Sequence, residues 1–182
     1  MLLLVGLGNP GSNYTNTRHN IGFKIIDAIN SHFKLSKQKP KFKGLLTTGN
    51  IEEKKIYAIK PLTFMNNSGT AIKELIDYFK IDAKDVIVFH DDMDIDFGKI
   101  KAKFGGSSAG HNGIESIDKF IGKDYSRVRI GIGHPKQKKK VNNHVLEDFK
   151  EDEEEKIKEI TENIVKQIPT LIDKKMELFS SK

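Results

Sequence analysis

Side chains able to do chemistry gather in four polar segments of the sequence. They carry imidazoles, carboxylates and carboxamides, the groups that hydrolytic sites use. In open α/β sheets, ligands bind outside the carboxyl ends of the strands, so we expect at least three of these segments to converge on one cleft. The segments are residues 9–20, 64–67, 90–92 and 110–113.

His19 is the candidate general base. An imidazole has an unperturbed pKa of about 6.5, so it can take a proton from water near neutral pH. Asp91, at the predicted end of a strand, could fix the tautomer of His19 and stabilise its imidazolium. The sequence around them also fits simpler roles, a loop or cap residue for His19 and a turn residue for Asp91.

Three asparagines, Asn9, Asn66 and Asn112, are candidates for binding the substrate. Each carboxamide offers a donor and an acceptor without charge, which suits orienting a peptide amide or holding an oxyanion as it forms. Taken singly, each also fits a turn or a helix cap. Met65, next to Asn66, is predicted to pack as a flexible apolar wall.

Several cofactor and metal sites are disfavoured by the spacing of the residues. Gly6, Gly8 and Gly11 spell G-x-G-x-x-G, but turn formers rather than a helix follow Gly11, and Pro10 has no N–H for a phosphate. A calcium loop starting at Asp92 would need glycine and glutamate where Phe97 and Lys103 stand.

We therefore predict a site without metal or cofactor. A magnesium site formed by His90, Asp91 and Asp92 is the alternative that these residue types leave open.

Length and composition favour one folded domain spanning residues 1–182. Hydrophobic residues make up 37% of the chain, which is typical of a globular protein rather than a disordered one. The net charge of +6 favours a polyanionic partner. The chain has no cysteine, which excludes disulfides, thiolate nucleophiles and cysteine-based metal sites. The apolar stretch 2–7 is too short for a signal peptide, and no run reaches the length of a membrane span.

Apolar periodicity predicts strands that alternate with helices. We expect an α/β fold in which helices flank both faces of a mixed, twisted sheet. The predicted strands are 2–7, 45–51, 55–59, 86–89, 99–104 and 127–132, and the predicted helices are 21–33, 66–80, 114–121 and 151–179. The predicted loops include 34–43, 105–113 and 133–143.

Five ordered blocks resemble the bacterial-type peptidyl-tRNA hydrolases. The resemblance runs from residue 2 to about residue 149, and we expect it to include the final helix. Two blocks depart from the family pattern. HDDMDIDFG lacks the usual proline, so we expect the loop after Asp94 to differ in shape. GGSSAGHNG carries Ser107, Ser108 and Ala109, so we expect that loop to differ in mobility. The blocks are GLGNPGSNYTNTRHNIG, KPLTFMNNSG, HDDMDID, GGSSAGHNG and RVRIGIGHP.

The resemblance implies an enzyme that hydrolyses the ester between a peptide and the 3′ end of tRNA. On the matching positions, His19 is the base that activates water and Asp91 is its orienting partner. The resemblance also implies a cytoplasmic monomer without membrane attachment. The other site positions that it implies are Asn9, Asn66 and Asn112 for catalysis and substrate binding, and Tyr14 and Met65 as cleft lining.

The same resemblance implies that basic residues of this chain bind tRNA. It implies that Lys101 and Lys103 bind phosphates of the tRNA acceptor stem and 3′ end, and Arg129 is a further candidate contact. Residues 134–149 resemble a lid loop, in which Lys136, Lys138, Lys139 and Lys140 form a second basic patch. We interpret the lysines of the 34–43 loop as solvated surface.

The alternative function is a non-catalytic RNA-binding protein on the same scaffold.

Overall fold

A seven-stranded sheet forms the centre of the computed structural model, which describes residues 1–136 and 141–173. The strands lie side by side in the order β2-β3-β4-β1-β5-β7-β6. Their bounds are β1 (Leu2–Gly6), β2 (Lys39–Lys41), β3 (Gly44–Ile51), β4 (Lys54–Pro61), β5 (Val86–Asp92), β6 (Ile100–Phe104) and β7 (Ser126–Gly131).

Strand β1 is central because it pairs in parallel with both β4 and β5. Strand β7 continues the parallel part beside β5, while β2, β3 and β6 are antiparallel to their neighbours. The carboxyl ends of β1, β5 and β7 therefore meet at one edge, where an open α/β sheet binds its ligands.

Helices cover both faces of the sheet. Side chains of β1 alternate between the two faces: Leu2 and Leu4 pack with α1 and α5, whereas Leu3 and Val5 pack with α2 and α3. The predicted α/β class, with a mixed sheet and helices on both faces, is confirmed. The helices are α1 (Ile21–His32), α2 (Ser68–Phe79), α3 (Asn112–Ile121), the short α4 (Val141–His144) and α5 (Glu151–Ile172).

Three boundaries differ from the prediction. The predicted 34–43 loop contains strand β2, which sequence periodicity missed because Lys39, Pro40 and Lys41 are all exposed. An edge strand tolerates lysine and proline, since one of its sides faces solvent. A 3₁₀ turn, Met65–Asn67, precedes α2, and the predicted 133–143 loop includes the start of α4. Of the predicted helix 151–179, residues 174–179 lie outside the described part.

Among the described helices, none is both long enough and apolar enough to cross a membrane.

Two glycines allow α1 to sit directly on the sheet. A Cβ on Gly22, in the first turn of α1, would overlap the backbone nitrogen of Leu7 and lie 2.5 Å from the backbone oxygen of Phe89. A Cβ on Gly6 would overlap the carbonyl of Gly22. This close approach matters because the residues just before α1 carry the candidate base, and β5 carries the candidate aspartate.

We expect Gly22→Ala to lower the free energy of unfolding by about 1–3 kcal/mol, because the backbone atoms of Leu7 and Phe89 cannot yield to the added methyl group. Helix propensity alone would favour alanine by roughly 0.5–1 kcal/mol, so a net loss identifies the packing contact as dominant. Urea unfolding monitored by circular dichroism measures the change. The control is Ser31→Ala on the exposed side of α1, expected to stay within about 0.5 kcal/mol of the parent.

Candidate active site

The carboxylate of Asp91 is the centre of the candidate site. Asp91 lies at the carboxyl end of β5 and is only 1% exposed. Nδ1 of His19 lies 2.9 Å from each of its oxygens, and Nε2 of His111 lies 2.9 Å from Oδ1. Two imidazoles therefore converge on one buried carboxylate.

The hydrogen bonds fix which nitrogen of each imidazole carries a proton. Backbone amides can only donate, and those of Gly113 and Ile114 lie 3.1 and 3.2 Å from Nδ1 of His111. That nitrogen is therefore an acceptor, and Nε2–H donates to Asp91. An ionised Asp91 accepts from His19 through Nδ1–H, which leaves Nε2 of His19 as the basic nitrogen.

His19 is held in place by a segment that follows it in the chain by more than a hundred residues. Its backbone N–H donates to the carbonyl of Val145 at 2.8 Å, and the N–H of Arg18 donates to the carbonyl of Glu147 at 3.0 Å. The guanidinium of Arg18 donates to the His144 carbonyl at 3.1 Å and pairs with Glu153 of α5 at 3.1 Å. The arm formed by residues 145–149 thus supports the turn that carries His19.

Asn9 is oriented by backbone contacts on both sides. Its amide N–H donates to Oδ1 of Asn20 at 2.8 Å, and its carbonyl accepts from Nδ2 of Asn20 at 2.9 Å. Oδ1 of Asn9 accepts from the N–H of Met65 at 2.8 Å. Since that oxygen is engaged, the NH₂ group of Asn9 is the part of the carboxamide left for a ligand.

These residues line a cleft of about 800 Å³. Its polar wall includes Asn66, in the 3₁₀ turn before α2, and Asn112, the first residue of α3; both are exposed. The apolar part of the lining is formed by Phe64, Met65, Met93, Val145 and Leu146. A cleft of this size, with a few convergent polar groups on an apolar lining, is typical of a substrate site.

Burial and the neighbouring charges act against each other at Asp91 and His19. Burial alone would lower the pKa of His19, but the charge of Asp91 and the hydrogen bond to it outweigh burial and raise the pKa above the ordinary 6.5. Burial alone would raise the pKa of Asp91, and attraction by His19 and His111 instead holds it well below the ordinary value. Asp91 is therefore a permanent carboxylate at working pH.

His90 differs from both partners of Asp91. Its Nδ1 donates to the carbonyl of Asp91 at 2.7 Å. Burial, aided by repulsion from His111, lowers the pKa of His90 to about 3. This ring is therefore a neutral packing group next to the site.

Comparison with known proteins identifies the family to which this chain belongs. A sequence model described as peptidyl-tRNA hydrolase matches residues 3–182. The chain is 74% identical over 181 residues to the peptidyl-tRNA hydrolase of Pelagibacter ubique, covering 100% of this chain and 97% of the relative. The chain belongs to the peptidyl-tRNA hydrolase family. It is an enzyme of that family, and the alternative of a non-catalytic RNA-binding protein is not favoured.

Two further relatives agree. The peptidyl-tRNA hydrolase of Ehrlichia ruminantium is 46% identical over 180 residues, covering 99% of this chain and 92% of the relative. The crystal structure of the Acinetobacter baumannii peptidyl-tRNA hydrolase superposes with a TM-score of 0.92 at 35% identity, covering 98% of this chain and 91% of that one. The peptidyl-tRNA hydrolase fold is thus shared along nearly the whole chain.

The structure brings most of the sequence-predicted site residues into this one cleft. His19, Asp91 and Met65 line it together with all three predicted asparagines. Tyr14 is not among the lining residues, but its ring packs edge-to-face with that of Phe64, which does line the cleft, with centroids 6.4 Å apart. All four polar segments of the sequence contribute lining residues, and Ser108 and Ala109, just before the fourth segment, line the cleft as well.

Three contributors to the candidate site lie within the four polar segments but were not singled out by the sequence. His111 contacts Asp91 directly, although the sequence does not distinguish it from the other residues of the 110–113 segment. Asn20 fixes Asn9 through two backbone contacts. Phe64 is 52% exposed at the cleft and has a positive φ of 58°, which is rare for a large side chain. The one signal that the sequence offered for His111 was its place between Gly110 and Gly113, just before the predicted helix 114–121.

Metal coordination fits these residues poorly. In the described part of the chain, His19, Asp91 and His111 form the group whose ligand atoms lie within 4.8 Å of one another. Nε2 of His111 carries a proton because its Nδ1 accepts two amide hydrogens, so coordination would break the cap of α3. In the alternative magnesium site, both oxygens of Asp92 are already engaged, since one accepts from the N–H of Asp94 and the other lies 3.8 Å from Arg129.

The predicted phosphate-binding residues lie on the edge strand and its neighbour. Lys101 of β6 pairs across the ladder with Arg129 of β7, and Lys103 pairs with Arg127. Burial, with repulsion from Arg129 and Arg127, lowers the pKa of Lys103. Lys136, in the predicted lid loop, is exposed, whereas Lys138, Lys139 and Lys140 lie outside the described residues.

Titration of the histidine rings tests the electrostatics of the site. NMR should show His19 titrating above 6.5 in the parent protein, and below 6.5 in Asp91→Asn, where burial is no longer opposed by a charge. His90 should stay neutral between about pH 5 and about pH 9. An unchanged titration of His19 in Asp91→Asn would contradict the assignment.

Proposed function

We propose that this cleft cleaves the ester between a peptide and the 3′-terminal ribose of tRNA, with His19 as the general base. The observation that carries the proposal is the contact of Nδ1 of His19 with the buried Asp91 at 2.9 Å. It supports an imidazole whose free nitrogen, Nε2, is basic and held in one orientation. Removing a proton from water at neutral pH requires a base of this kind.

The proposed reaction proceeds through a tetrahedral intermediate. Nε2 of His19 removes a proton from water as the water oxygen attacks the ester carbonyl. The resulting imidazolium is stabilised by Asp91. Collapse of the intermediate breaks the bond to the ribose oxygen, which receives the proton from His19. Peptide acid and free tRNA leave, and the base is regenerated.

We assign different parts of the substrate to the three asparagines. Asn112, which begins α3 next to His111, holds the attacking water together with His19. Asn66 and nearby loop amides stabilise the oxyanion. Asn9, whose oxygen is occupied by Met65, presents its NH₂ group and orients a carbonyl of the peptide.

The tRNA is proposed to lie across the β6 side of the cleft, with its acceptor stem and 3′ end at the site. Lys101, Lys103 and Arg129 would contact its phosphates, and Lys136 would add charge from the predicted lid loop. Contacts of this type carry affinity without reading the base sequence. We further propose that the enzyme works as a cytoplasmic monomer without a metal or cofactor.

Replacing the base should remove catalysis and spare binding. We expect His19→Ala to reduce kcat by about 10²–10⁴-fold, because general base catalysis typically contributes that much. Release of N-acetylated amino acid from an N-acetylaminoacyl-tRNA gives the rate, and filter binding gives the affinity. The matched control is His32→Ala, an exposed histidine at the end of α1. Full activity in a folded His19→Ala variant would refute the assignment, and loss of parent activity with EDTA would indicate a metal instead.

The salt dependence of binding tests the proposed phosphate-binding lysines. Replacing Lys101 or Lys103 by glutamine should weaken tRNA binding and reduce the slope of log K against log salt by about 1 for each lysine that binds a phosphate. Lys37→Gln removes the same charge from the exposed 34–43 segment and should leave the slope unchanged. Equal slopes in all three variants would assign their effects to net charge alone.

A further inference from the structure

The loop that leads into His111 and Asn112 has an unusual backbone. Gly105, Gly106, Ala109 and Gly110 all have positive φ angles, between 47° and 102°. Most of the loop is exposed, so packing of its own side chains holds it only weakly. Yet its far end must place His111 against Asp91 and Asn112 in the cleft, which requires a fixed course for the main chain.

One buried cation supplies contacts to this main chain. Arg127 of β7 is 1% exposed, and its guanidinium donates to the carbonyl of Ser107 at 2.7 Å and to the carbonyl of Gly106 at 3.0 Å. Hydrogen bonds from a charged donor are stronger than neutral ones, and the planar guanidinium fixes two acceptors at once. The first half of the loop is thereby attached to the sheet.

Arg127 is itself held by a carboxylate and an aromatic ring. Oδ1 of Asp118, on α3, accepts from Arg127 at 3.0 Å and from the hydroxyl of Tyr125 at 2.7 Å. The guanidinium lies 4.9 Å from the centre of the Tyr125 ring. Asp118 belongs to the helix that His111 caps, so the same cation joins the loop, the sheet and α3.

Resting on the proposed function, we propose that Arg127 is a positioning residue for catalysis, which clamps the Gly106–Ser107 backbone so that His111 reaches Asp91 and Asn112 faces the cleft. Arg127 does not line the cleft and acts through these two residues. Without the clamp, the loop samples other courses. Asp91 then loses a hydrogen-bond donor, and its charge acts more fully on His19.

The test compares three variants with the parent. In Arg127→Met/Asp118→Asn, the clamp is removed without leaving an unpaired buried charge, and the net charge of the protein is unchanged. Asp118→Asn alone is the matched control, because asparagine keeps a neutral acceptor for Arg127 and leaves both loop carbonyls engaged. The buried guanidinium then lacks its carboxylate, so the stability of this variant is measured separately from its kcat and loop exchange. Arg127→Lys keeps the charge, but an ammonium does not reproduce the planar contact with two carbonyls.

We expect the double variant to lower kcat by about 10–10²-fold with little change in KM, since misplacement of catalytic groups by about 1 Å has an effect of that size. The acid limb of kcat/KM should move to higher pH, because Asp91 attracts the His19 proton more strongly. Hydrogen exchange of amides 106–111 should accelerate. Asp118→Asn should resemble the parent, and Arg127→Lys should fall between the parent and the double variant.

A merely structural pair would give a different result. Lower stability of the double variant with parental kcat, pH profile and loop exchange would overturn the proposal. If the double variant does not fold, Arg127→Lys decides by the same three measurements. Hydrogen exchange needs no substrate, so the clamp is tested even if the parent fails to hydrolyse N-acetylaminoacyl-tRNA, which would refute the proposed function alone.

Discussion

A carboxylate buried at the end of a parallel strand is the constraint on which the site depends. Moving such a group out of water is costly, by several kcal/mol for an isolated ion, unless hydrogen-bond donors compensate. At Asp91 the compensation comes from two imidazole N–H groups, one on the turn before α1 and one at the start of α3. The two helices lie on opposite faces of the sheet, so the fold must bring both faces to the same strand end.

His111 connects two parts of the candidate site through its two nitrogens. Nδ1 caps α3 and Nε2 binds Asp91, so the ring serves as a link between the helix and the carboxylate. Asn112, the next residue, is held in position by that link. Asn20 also makes two contacts with one side chain. Its carboxamide accepts from the backbone N–H of Asn9 and donates to the backbone carbonyl of Asn9, as the backbone of a neighbouring strand would. His111 and Asn20 thus fix the positions of residues to which we assign contact with the substrate.

The sequence predicted well those features of the fold and the site that depend on a local pattern of residues. Apolar alternation located the strands, and polar residues at their carboxyl ends located His19, Asp91 and the three asparagines in one region. It failed where a role depends on distant partners. His111 reads as one of several loop histidines until its ring is seen between α3 and Asp91, and Arg127 reads as an ordinary charge in an alternating strand. Strand β2 was missed because its pairing with β3, rather than its composition, makes it a strand.

The shared use of Glu153 has a consequence for protein engineering. Its carboxylate accepts from the N–H of Lys150 at the start of α5 and also pairs with Arg18, next to His19. Circular permutation or insertion between His144 and Glu153 would therefore disrupt the contacts of Arg18 that hold the turn carrying His19, although this stretch looks like a surface linker. New termini are better tolerated at the Glu52–Glu53 turn between β3 and β4, at the opposite end of β4 from the cleft.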